Sequence, residues 1–112
     1  MYRNPNPYIP KTKDEIRDFL GRMMLGAPTF IDKTGYFETR NIETEFLALN
    51  EGLELVRRQL GEENYRKLTE LSAQMRKLFE ADPENKTGET SKGRKCILEM
   101  QEVLHGVSRR KR

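Results

Sequence analysis

One cysteine and one histidine in 112 residues exclude two kinds of architecture at the outset. A disulfide framework needs paired thiols. A zinc site would have to recruit carboxylates or a second subunit. Cys96 and His105 fall on one expected helix, about 13 Å apart along its axis, too far to act together. Cys96 therefore reads as a small buried hydrophobe, and no metal or cofactor is expected. Long apolar runs are missing too: nothing approaches the roughly 20 residues that span a bilayer. The opening MYRNPNPYIP has no apolar h-region of the kind that directs secretion. A cytoplasmic protein without a membrane partner is the expectation.

Catalytic signatures are equally scarce. Gly88 through Gly93 has the spacing of a phosphate-binding loop. However, Arg94-Lys95-Cys96 stands where Lys-Ser/Thr is needed, and no apolar strand precedes it. A weaker version remains, with Lys92, Arg94 and Lys95 holding a phosphate at a helix start. Glu38, Glu43 and Glu45, with Asp32 close in sequence, are explained by favourable interaction with a helix N-terminus. Nothing marks them as a general acid–base pair. The expectation is a non-enzyme.

Charge is distributed unevenly. The chain carries a formal +3, with hydrophobic and charged residues each at 35%. Arg3, Lys11 and Lys13 give residues 1–13 a charge of +3, and Arg109, Arg110, Lys111 and Arg112 add +4 at the end. Removing both from the total leaves −4 for residues 14–108. An acidic body does not make a nucleic-acid platform, which would show a basic face. The limited apolar surface makes a homodimer an open alternative.

What is present is helical periodicity. Ile42, Phe46, Leu49, Leu53, Val56 and Leu60 alternate spacings of four and three, one apolar stripe down a helix. Asn41 supplies a cap and Gly61 a stop. Tyr65, Leu68, Leu71, Met75 and Leu78, widened by Phe79, draw a second stripe, which Asp82-Pro83 ends. A short turn between them returns the second helix antiparallel to the first. Thr12 with Glu15 matches a capping box ahead of Ile16, Phe19, Leu20, Met23 and Met24. Cys96, Ile97, Met100, Val103 and Leu104 form the apolar face of a last helix. The spacing predicts an all-α bundle of four helices near 13–25, 42–60, 63–81 and 92–105, occupying residues 12–107. A Pro/Asn-rich arm (1–11) precedes it and a frayed basic tail (108–112) follows. Residues 82–95 read as a mobile polar loop. Gly52 lies inside the central helix beside the stripe, where it either allows close approach of another helix or is simply tolerated.

Residues 27–40 join the first two helices. Phe30-Ile31 and Tyr36-Phe37 flank Asp32-Lys33-Thr34-Gly35, a sequence suited to a turn, so a short β-hairpin over 30–37 is expected there. Its aromatics must be covered, either by the chain's own bundle or by a partner. On the second alternative Phe30, Ile31, Asp32, Lys33, Tyr36 and Phe37 form a partner-binding surface. The leading functional expectation is a small protein-binding regulator, for which an immunity or antitoxin role fits. The competing one is a nucleic-acid-associated protein using Lys92, Arg94, Lys95 and the tail Arg109–Arg112.

Overall fold

The computed structural model describes residues 9–30 and 41–110. Its helices are α1 (Lys13–Gly26), α2 (Ile42–Leu55), α3 (Arg57–Leu60), α4 (Glu62–Ala81) and α5 (Glu89–Arg110). No strand occurs among the described residues. The fold is a small all-α bundle. The expected hairpin over 30–37 lies, apart from Phe30, outside those residues.

Capping sets the helix starts. The Thr12 hydroxyl accepts from Glu15 N–H at 3.0 Å, as a threonine N-cap should. The Glu15 carboxylate, however, reaches back to Lys11 N–H at 2.7 Å, one residue earlier than in the standard box. At α2 the box is reciprocal. Asn41 Oδ1 accepts from Thr44 N–H and Thr44 Oγ1 from Asn41 N–H, each at 3.0 Å, with Thr44 in the usual place of Glu or Gln.

The expected 42–60 helix is interrupted at Val56, whose φ of −104° and ψ of 13° leave the α-helical region. Leu60 N–H still bonds Val56 C=O at 3.0 Å, so the one-turn α3 continues the chain's course and keeps both side chains in the core. Gly61 alone joins α3 to α4. Its φ of 84° and ψ of 155° lie in a region essentially restricted to glycine.

Three pairs fix how α2 and α4 lie together. Tyr65 Oη donates to Glu54 at 2.6 Å and Ser72 Oγ to Asn50 Oδ1 at 2.9 Å, and the Phe46 and Phe79 rings are 6.5 Å apart. As one residue number falls the other rises, so the helices run antiparallel. Around the bundle α1 packs on α2 and α5, and α4 on α2 and α5, with α4·α5 the most extensive pair.

Every fully apolar stripe position is buried or packed against the core. That core takes Ile16, Phe19, Leu20 and Met23 from α1 and the α2 stripe from Phe46 to Leu53. It is completed by Leu68, Leu71, Met75 and Phe79 from α4 and Cys96, Ile97, Met100 and Leu104 from α5. The two glycines beside this core permit close contacts. A methyl on Gly52 would lie 2.8 Å from the Pro10 carbonyl oxygen and 2.9 Å from its Cγ. The close approach there is thus made by the arm, not by another helix, and Ile9 packs against the core beside it. A methyl on Gly93 would lie 2.8 and 2.9 Å from Phe79 Cδ1 and Cζ.

The stretch 82–95 departs most from expectation. The buried Asp82 carboxylate accepts from Lys86 N–H at 2.7 Å, Thr87 N–H at 3.2 Å and Thr90 N–H at 3.1 Å. The Asp82 carbonyl accepts from Thr90 Oγ1 at 3.1 Å. One residue thereby ends α4 and fills the start of α5, which begins at Glu89, ahead of the expected 92. The helix also continues past His105 to Arg110, where a frayed tail was expected.

Candidate interaction surface

The outer face of α2 is the surface that its packing leaves unexplained. The stripe from Phe46 to Leu53 points inward and Glu45 is buried with it. Leu47 and Leu55 point the other way, with 50% and 59% of their surface in solvent. Exposed Glu43, Glu51 and Glu54 flank them, and α2 contains no lysine or arginine. Opposite an apolar stripe a helix normally carries polar side chains, so two leucines there are out of register with burial.

Glu54 belongs also to a network at the foot of this face. Arg57 forms a two-pronged pair with Glu62, Nε–Oε2 and Nη2–Oε1 both at 2.9 Å. Its Nη1 lies 3.7 Å from Glu54, and its guanidinium carbon lies 4.3 Å from the centroid of the Tyr65 ring. The Glu62 hydrogen bond holds the guanidinium still more firmly protonated. In return, Arg57 lowers the Glu62 pKa. The bond to Glu54, aided by partial burial, raises that of the Tyr65 phenol. Arg57, Glu62 and Tyr65, with Arg66 and Thr69, line a depression of about 300 Å³. Their mutual pairing braces the one-residue turn at Gly61.

A second depression of about 560 Å³ is lined by Asp14, Arg17, Asp18 and Gln101 between α1 and α5. There Gln101 Nε2 donates to the Arg17 carbonyl at 3.1 Å and Asp14 lies 3.7 Å from Arg17.

The sequence-derived candidates are dispersed. Phe30 is a core residue, which corrects its assignment to a partner-facing surface. It is 1% exposed, and its ring meets Phe46 and Phe79 edge-on with centroids 6.0 and 5.6 Å away. Burying so large a ring is worth more than displaying it. Ile31, Asp32, Lys33, Tyr36 and Phe37 lie outside the described residues, as do Lys111 and Arg112.

The phosphate-site candidates do not converge. Gly88 turns the chain at φ 92° while Gly93 admits the Phe79 ring, so each glycine has a packing or turn role. The Asp82 carboxylate occupies the α5 start that a phosphate would need. Lys92 lies 3.7 Å from Glu89, and Lys95 is exposed one turn from Glu99. Arg94 is half-buried, and Arg109 and Arg110 continue the α5 backbone. Burial raises the Cys96 thiol pKa, with the Glu99 charge adding to it, so the thiolate is disfavoured. No group of three or more His, Cys, Asp or Glu side chains is gathered for a metal among the described residues. No helix among them is long and apolar enough to cross a membrane.

Asp82 and the leucine face were missed from sequence for different reasons. In sequence Asp82-Pro83 marks a stop, although aspartate is also a strong cap. Leu47 and Leu55 signal themselves in sequence only by standing out of phase with the stripe. No protein-family model, curated protein or solved structure matches this chain.

Proposed function

We propose that this chain is a small, non-enzymatic cytoplasmic protein that regulates another protein by binding it, an immunity- or antitoxin-type inhibitor being one form of such a binder. The observation that carries this is the pair of half-exposed leucines set among glutamates on α2. Apolar side chains grouped in an otherwise charged surface are characteristic of contact sites. The ionisable groups held in hydrogen bonds also support it: Asp82 and the Arg57–Glu62–Tyr65 network are engaged in joining helices.

Affinity capture from native lysate, divided into nuclease-treated and untreated halves, tests the proposal. A specific protein retained after nuclease is the expected result. Nucleic acid in the untreated half, with co-captured proteins lost on treatment, would overturn it in favour of phosphate binding by the basic ends.

A further inference from the structure

We infer that the outer face of α2 is a docking surface for a basic amphipathic helix of the partner protein. The inference rests on the protein-binding role proposed above. Leu47 and Leu55 stand eight residues apart on one helix, about 12 Å along its axis and about 80° around it, with Glu51 between them. An amphipathic helix laid alongside presents apolar side chains at the same interval, which is how such helices dock. Glu43 lies one turn before Leu47, Glu51 lies between the leucines, and Glu54 adjoins Leu55, all exposed. Among the described residues the nearest cation along the chain is Arg57, which is 3.7 Å from Glu54, followed by exposed Arg58.

Charge selects the occupant. A nucleic-acid phosphate backbone or an anionic lipid surface would meet the carboxylates of Glu43 and Glu51, of its own sign, while Glu54 is engaged by Arg57 and Tyr65. A second copy docking through the same face would set glutamates against glutamates, since a two-fold interface pairs a patch with itself. A helix with leucines on one face and lysines or arginines at its margins satisfies both features of the surface. Its charge would speed encounter and fix orientation, while the leucines would hold it.

The probe is a synthetic leucine–lysine amphipathic helical peptide, titrated into the full chain beside a peptide of the same composition with its leucines scattered. The ordered peptide should bind at least about tenfold more tightly. Leu47→Asn with Leu55→Asn should lose about tenfold or more of that affinity, with helical circular dichroism and melting unchanged. Glu43→Gln with Glu51→Gln should weaken binding and flatten its salt dependence.

Equal affinity for the two peptides would overturn the inference, as would leucine variants that bind unchanged. Concentration-dependent self-association abolished by Leu47→Asn would overturn it in favour of a second copy. If lysate capture retains its protein in the Leu47→Asn, Leu55→Asn variant, the binding role stands and this assignment of the surface falls.

Discussion

At the scale of single residues, the glycines show how little composition says without position. Replacing a helical glycine by alanine ordinarily stabilises by about 0.5–1 kcal/mol, because the unfolded chain loses freedom. Gly106 in α5 has open space around it, so Gly106→Ala should follow that rule. Gly93, on the same helix, sits against the ring of the fully buried Phe79, which is itself in contact with Phe30 and Phe46. The ring has no room to retreat, so Gly93→Ala should instead destabilise by about 1–3 kcal/mol, the usual cost of overpacking. Urea unfolding midpoints of the two variants, compared with the parent, provide the check. A stabilised Gly93→Ala would mean that α4 and α5 can separate at this crossing without penalty.

At the scale of elements, the α4–α5 connection depends on Asp82. Burial alone would push its pKa up, but hydrogen bonds from the backbone N–H groups of Lys86, Thr90 and Thr87 and from the Thr90 hydroxyl outweigh burial. They bring the pKa from its ordinary 3.8 to about 2. A pKa lower in the folded state means that the carboxylate's contribution is fully present above about 3.8 and is lost as pH falls toward 2. Asn in its place keeps one acceptor oxygen but turns an NH₂ group toward a donor. Asp82→Asn should therefore melt at a lower temperature near neutral pH. The gap from the parent should narrow between pH 4 and pH 2, as the parent's aspartate is protonated. Thermal melts at several pH values measure both. A gap that stays constant across that window would show that the carboxylate charge contributes nothing.

For the molecule as a whole, one aromatic group ties the helices together. Phe30 follows α1, Phe46 belongs to α2 and Phe79 to α4, and Phe79 rests on Gly93 of α5. Phe30 adopts a φ of 62°, which costs a residue with a side chain on the order of 1–2 kcal/mol. The burial of its ring offsets that cost. Phe30→Ala should lower stability by about 3–5 kcal/mol, a large share of what a domain of this size possesses. Denaturant unfolding followed by circular dichroism should show one cooperative transition shifted to lower denaturant. An unchanged midpoint would place the ring outside the core.

Sequence alone determined the four helical segments and their buried faces, though not the break at Val56 or the bounds of α5, because period and apolar phase follow from local rules. A stripe such as Phe46, Leu49, Leu53 needs only the helical period to be legible, and Asn41 and Thr12 cap from within one turn. Tertiary structure decided whatever depends on residues distant along the chain. Gly52 was visible as a gap but not as a seat for Pro10. Asp82 was visible as a stop but not as the anion at the start of α5. From sequence Phe30 could face a partner; in the fold it closes a three-ring cluster with Phe46 and Phe79. Leu47 and Leu55 acquire meaning only from the packing of the other apolar residues of α2 into the core. Exposure is a property of the packed whole: a helix's period orders its faces, and its neighbours decide which of them stays open.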